Sequence, residues 1–203
     1  MRFDIHVHTT LSGCSQLTVG QLLEGAVAQG LDGVCITDHD TMAIANHIRE
    51  GVQANGLCLL FGMEYSTAQG DFLIFGPFEE VAVNLSAPEL LSHVAQAGGV
   101  AVAAHPFRPG RSSAEEIFAD GLCPIVEGVN GRNRDVDNQR AMSLQEQYGT
   151  HLAGGSDAHS LSELGLASTI FAVEIKNRAD LISALKSGCY SPERASLPFA
   201  LCA

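Results

Sequence analysis

Positive charge is what this chain has least of. Lysine and arginine total 11 against 23 acidic residues in 203, a formal net charge of −12, and only Lys176 and Lys186 are lysines. Such a surface repels a polyanion at long range, so no stable binding to duplex nucleic acid is expected. The arginines are unevenly spread. Arg108, Arg111, Arg132 and Arg134 fall close together, which leaves room for a local anion site. Long apolar runs are missing as well. None reaches the 18 or so residues of a spanning helix, and no apolar segment follows Met1, so neither a membrane partner nor a secretory signal is expected. The six cysteines, Cys14, Cys35, Cys58, Cys123, Cys189 and Cys202, form no C-x-x-C pair and no disulfide framework. A reducing cytoplasm is the expected location. No repeat, low-complexity stretch or linker divides the chain, so one domain over residues 1–203 is expected. The sequence sets no oligomeric state.

What is present is an alternation of short apolar runs with helical patterns. Strands are predicted at 2–7, 33–37, 58–65, 71–76, 99–104, 124–129, 151–155 and 168–174. Helices are predicted near 18–29, 41–54, 87–97, 113–119, 133–148 and 178–187. Thr18 can cap the first helix, Ser86 and Glu89 form a capping box, and Gly98-Gly99 ends the helix between them. The runs at 58–65 and 71–76 are too close for a crossover helix and read as a hairpin. Alternating strands and helices imply parallel β/α units, and their number fits a compact or distorted β/α barrel.

The chemistry gathers at the ends of those strands. His6 and His8 close the first, Asp38 and His39 the second, Glu64 the third, His105 the fourth, Glu127 and Asn130 the fifth, and Asp157 and His159 the sixth. Barrel enzymes carry their sites on this face. The i, i+2 spacing of His6 and His8 puts both imidazoles on one face of a strand. Taken singly, each signal has a plainer reading: a chance histidine pair, an Asp40 helix cap, a surface acid at Glu64. Together, at successive strand ends, they point to a metal site. His47, His93 and His151 read as structural or surface residues.

In this order the motifs resemble the PHP family, named for polymerase and histidinol phosphatase. The resemblance runs through His6-x-His8, Thr37-Asp38-His39-Asp40, Gly62-x-Glu64, Ala104-His105-Pro106, Glu127-x-x-Asn130 and Ser156-Asp157-x-His159. It implies a distorted (β/α)7 TIM-like barrel holding two or three divalent metal ions, zinc, manganese or iron. One metal would sit on His6, His8, Glu64 and Asp157. Glu64 would bridge to a second, which also takes His105, and a third would take His39 and His159. Asp38 would only orient a neighbour. Two positions depart from the family pattern: Cys14 and Asp71 stand where many members have histidine. A thiolate and a carboxylate can both bind metal. Cys14 as a buried thiol and Asp71 as a turn residue beside Gly70 are the alternatives.

The implied activity is that of a phosphoesterase acting on a small phosphomonoester or a nucleotide-like phosphodiester. Glu64, Asp157 and His159 are the candidate catalytic groups. Arg108, Arg132 and Asn130 are the candidate substrate contacts. The same centre could instead serve a C–N or C–O hydrolase of the amidohydrolase kind, or a non-catalytic module stabilised by metal.

Overall fold

The computed structural model describes residues 1–195, and Cys202 lies outside them. Strand β1 (Arg2–Val7) leads to helix α1 (Val19–Ala28), which opens on the expected cap: Thr18 and Gln21 bond each other's backbone reciprocally. Strands β2 (Gly33–Ile36), β3 (Gly51–Val52), β4 (Cys58–Phe61), β5 (Met63–Thr67) and β6 (Gly70–Phe75) follow. Helix α2 (Ala87–Gln96) carries the Ser86–Glu89 capping box. Next come β7 (Val100–Ala103), the short α3 (Glu116–Ala119), β8 (Ile125–Asn130), α4 (Asp135–Tyr148) and β9 (His151–Gly155). The described chain ends with β10 (Ala167–Phe171), α5 (Arg178–Ser187) and β11 (Tyr190–Arg194).

The strands form two mixed sheets, in the orders β11-β10-β1-β2-β4-β3 and β5-β6-β7-β8-β9. The expected closed barrel is corrected here: among the described residues no sheet closes on itself. The reason lies at β1. Antiparallel β10 occupies the edge of β1 that β9 would need, so β9 stays at the margin of the second sheet. β9 packs against β1 without pairing with it, and the segment just after β9 reaches the end of β1 through the Val7–Ala158 bridge and the Asp157 N–H bonded to the His6 carbonyl at 2.7 Å. At the other seam the predicted strand 58–65 breaks at Gly62, and its halves join different sheets.

Alternation along the strands sorts the core into two clusters. Val34, Ile36, Leu59, Phe61, Phe72 and Ile74 pack with Leu22, Leu90 and Leu144 of the helices. Cys35, Cys58, Leu60, Leu73 and Phe75 pack with Leu181, Ala184 and Leu185 of α5. This is the period-2 signature of strands buried on both faces. The helix expected over 41–54 is replaced by a single 3-10 turn, Ala43–Asn46, and by β3. Gly51, at φ +114°, takes the chain out of helical geometry, and the Gln53 amide ties off the Arg49 and Gly51 carbonyls. No helix among the described residues is long and apolar enough to cross a membrane.

Candidate metal centre

The ends of β1, β2, β7 and β9 meet the start of β5, and there the ring nitrogens and carboxylates converge. His6 Nε2 and His8 Nε2 lie 3.0 Å apart. Glu64 Oε2 is 3.3 Å from the first, 3.1 Å from the second and 3.0 Å from His39 Nδ1. Glu64 Oε1 is 2.8 Å from His105 Nε2. Asp157 Oδ1 stands 3.6, 3.4 and 3.5 Å from His6, His8 and His159. Three groups have ligand atoms close enough to hold an ion: His6, His8 and Asp157; His6, Glu64 and His105; His8, His39 and His159.

The surroundings fix which nitrogens are free to coordinate. His6 Nδ1 faces Glu127 Oε1 at 2.9 Å, which can only accept, so the ring proton sits there and the Nε2 lone pair points inward. The hydroxyl of Ser12 donates to Asp38 Oδ1 at 2.6 Å, leaving its lone pair for the His8 Nδ1 proton at 3.2 Å. The His8 Nε2 lone pair therefore also points inward. Two imidazole lone pairs and two carboxylate oxygens aimed at one small volume repel one another unless a cation lies between them. The donor set thus fits divalent metal, held by mixed nitrogen and oxygen ligands.

The electrostatics agree. Burial alone would raise the Glu64 and Asp157 carboxyls, but His6 and its neighbours hold both well below the usual carboxylate range. Burial likewise opposes charge on His6, yet Glu127, Asp157 and Glu64 together push its imidazole up. The centre favours positive charge. His159 moves the other way, lowered by burial and by His8 beside it.

Backbone strain collects at the same place. His105 at φ +29°, Asp157 at +57° and Asp40 at +52° lie in the left-handed region, at a cost of about 1–3 kcal/mol each. The Asp157 amide is tied to the His6 carbonyl, and the His105 N–H donates to Glu127 Oε2 at 2.9 Å.

The arginines form the rim. Arg108 Nη1 donates to Asp157 Oδ2 at 2.6 Å, Nη2 to Asn130 Oδ1 at 2.7 Å and Nε to Asn133 Oδ1 at 3.0 Å. Arg132 Nη1 reaches His159 Nδ1 at 2.9 Å. Asn130 is fully buried, its amide spent on Glu127 and Arg108, so it positions other groups rather than touching a ligand. Cys14 is exposed and lines the same cavity as His39, Glu64, His105, Asp157 and His159, but belongs to none of the three ion-competent groups. Asp71 lies 4.0 Å from His105 Nε2 and is held by Arg111 at 3.0 Å, also outside those groups. Glu127, Ser12 and Arg111 complete the site, with no specific task foreseen for any of them beyond Arg111's place among the clustered arginines. Glu127 stood in a strand-end motif, whereas Ser12 had no signal beyond its nearness to His8.

The chain matches the PHP domain over residues 4–153 and the PHP-associated region over 136–189. It therefore belongs to the PHP family. An uncharacterised protein of Methanocaldococcus jannaschii is 29% identical over 176 residues, covering 82% of this chain and 69% of that one. Among solved structures, PsfC of Pseudomonas syringae superposes with a TM-score of 0.77 at 22% identity, over 96% of this chain and 91% of that one. Endonuclease Q, solved with a 27-mer duplex bearing an abasic lesion, superposes at 0.74 and 19% identity, over 94% of this chain and 57% of that one.

That last likeness corrects the expectation that acidity excludes duplex nucleic acid, since a protein of this fold binds one. Net charge sums the whole surface, but screening over about 8 Å leaves a ligand at the site to feel the nearest groups. Here those include Arg108, Arg111, Arg132 and Arg134, which line one open cleft.

Proposed function

We propose that this chain, acting as a single unit over residues 1–203, is a metal-dependent phosphoesterase that hydrolyses a small phosphomonoester or a nucleotide-like phosphodiester. The observation that carries this reading is a buried set of ion-competent ligands directly beneath a rim of arginines. Two or three divalent ions, as zinc, manganese or iron, would be held by His6, His8, His39, Glu64, His105, Asp157 and His159. Cys14 and Asp71 are close enough to the cavity to join them in a shifted geometry. Such ions lower the pKa of water and neutralise charge on phosphoryl oxygens.

The remaining work belongs to the protein. Glu64 and Asp157 keep their negative charge at neutral pH because the histidines hold their carboxyls low. Glu127 and Ser12 lock the His6 and His8 rings in one tautomer each. Arg108 spends three of its five N–H groups on Asp157, Asn130 and Asn133, which fixes the fork and leaves two for phosphate oxygens. Arg132 stands beside His159 on the open side. The five described cysteines are free thiols, in keeping with a reducing cytoplasm.

The test is phosphate release from a panel of monoesters and diesters, with and without manganese, by wild type and Arg108→Lys. Lysine cannot reproduce the planar fork, so kcat/KM should fall about tenfold to a hundredfold with metal content unchanged. A fully metallated enzyme inactive on every phosphate ester, yet active on amides or lactones, would overturn the reading.

A further inference from the structure

Two turns meet beside the metal centre, and each presents two arginines. In Arg108-Pro109-Gly110-Arg111 the Arg111 N–H bonds the Arg108 carbonyl at 3.1 Å, and Gly110 stands at φ +80°. Proline then glycine at the central positions is the type II pattern, which brings its first and last residues within about 7 Å. Past β8 the Arg132 N–H bonds Asn130 Oδ1 at 2.9 Å and the Asn133 N–H bonds the Asn130 carbonyl at 3.2 Å, so Arg132 and Arg134 flank a second turn. All four arginines line a cleft of about 630 Å³. Arg108, Arg111 and Arg132 also line the metal cavity, of about 180 Å³, so the two spaces adjoin along these three side chains. Arg134 belongs to the cleft alone.

We propose that the cleft is a second anion subsite and that the substrate carries two phosphoryl groups, one reacting under Arg108 and Arg132 and the other held by Arg111 and Arg134. The inference rests on the phosphoesterase reading and adds the substrate class. Three observations support it. First, the metal cavity is smaller than the roughly 300–1,000 Å³ of a pocket that encloses a whole small molecule, so it suits the reacting group and leaves the rest of the ester to the adjoining cleft. Second, the cleft selects for negative charge. Four guanidiniums face the single carboxylate of Asp137, and the rest of the lining is proline, glycine and asparagine, with no ring or large apolar wall for a neutral body. Third, donors remain to be used. Arg111 spends Nη1 on Asp71 at 3.0 Å, and Arg134 spends Nε and Nη2 on Asp137 at 2.7 and 2.8 Å. Each guanidinium has five N–H groups, so both keep several for phosphate oxygens, and both side chains are more than half exposed. Binding energy from a group that does not react is what separates one phosphate ester from another.

The test is calorimetric titration of the manganese-loaded protein with propane-1,3-bisphosphonate and pentane-1,5-bisphosphonate, whose C–P bonds are not hydrolysed, against propylphosphonate. The wild type should bind at least one bisphosphonate about tenfold or more tighter than the monophosphonate, the worth of one or two charge-assisted hydrogen bonds. Arg134→Gln, at an exposed position, and Arg111→Lys, which keeps a cation beside Asp71 but loses the fork, should each cut that preference about tenfold. A 5′-phosphorylated thymidine dinucleotide against thymidine 5′-monophosphate tells the two sources apart. Preference for the dinucleotide, lost in Arg134→Gln, assigns the second group to the next phosphate of a strand. Preference for bisphosphonates alone assigns it to a small bisphosphate. No preference for any doubly charged ligand, or a preference untouched in both variants, would overturn the subsite. If no phosphate ester is hydrolysed while the preference holds and is lost in the variants, the phosphoesterase reading falls and the subsite stands.

Discussion

At the scale of single residues, Glu127 does more for the centre than its place as one more strand-end acid suggests. It is fully buried and faces three donors: His6 Nδ1, the His105 N–H and the Asn130 amide, each at 2.9 Å. An ionised carboxylate accepts all three. Glutamine of the same shape brings an N–H of its own and must set a donor against a donor, which releases either the His6 tautomer or the His105 backbone. Glu127→Gln should therefore weaken metal affinity about tenfold to a hundredfold, the usual loss when a supporting partner of a ligand is removed. Competition with a chromophoric chelator measures it, with circular dichroism as the control for folding. Unchanged affinity in a folded variant would show that Glu127 is only filling space.

At the scale of elements, the two sheets meet where there is no room for a side chain. A Cβ on Gly155, at the end of β9, would lie 2.5 Å from His6 Cβ and 2.7 Å from Glu127 Oε1. Gly155→Ala must push β9 away from β1 and disturb a ligand together with its support. The expected cost is about 1–3 kcal/mol of stability, as for other overpacked sites, accompanied by weaker metal binding. Urea denaturation and chelator competition read the two effects. A variant as stable as wild type and binding metal equally well would mean that the seam is looser than its geometry.

The same seam shows what could be read from the sequence. The capped helices α1 and α2 and the strand ends bearing ligands were legible, because caps and apolar runs are local patterns. The pairing of β10 with β1 was not. It joins residues far apart in sequence, and its neighbour β11 carries Pro192, Glu193 and Arg194, a composition that hides an edge strand. The helix expected over 41–54 failed on Gly51. Glu127 was visible as a strand-end acid, but its task depends on His6, 121 positions away, and no spacing rule reaches that far.

At the scale of the whole molecule, the ledger of charge makes the centre a stability device as well as a site. The chain carries −12 overall, and Asp38, Glu64, Asp71, Glu127 and Asp157 are all buried at one end of the fold. Glu64 and Asp157 stay ionised at neutral pH because their carboxyls are held well down. Buried like charges destabilise the folded state unless cations balance them. The histidines do part of this, and a divalent ion that binds only the folded chain does more. Mass action then stabilises the protein by about 2.7 kcal/mol when free metal is a hundred times its Kd. For a domain of this size that corresponds to a rise in Tm of roughly 5–11 °C. Thermal unfolding should therefore shift upward on adding manganese to chelator-treated protein and should depend on the metal concentration. Glu64→Gln should flatten that dependence, because its carboxylate touches His6, His8, His39 and His105 at once. Calcium or magnesium at equal ionic strength separates specific binding from simple screening. Screening acts on the whole acidic surface and would raise Tm equally with either ion and in either protein, so equal shifts in wild type and Glu64→Gln would remove the centre from the account of stability.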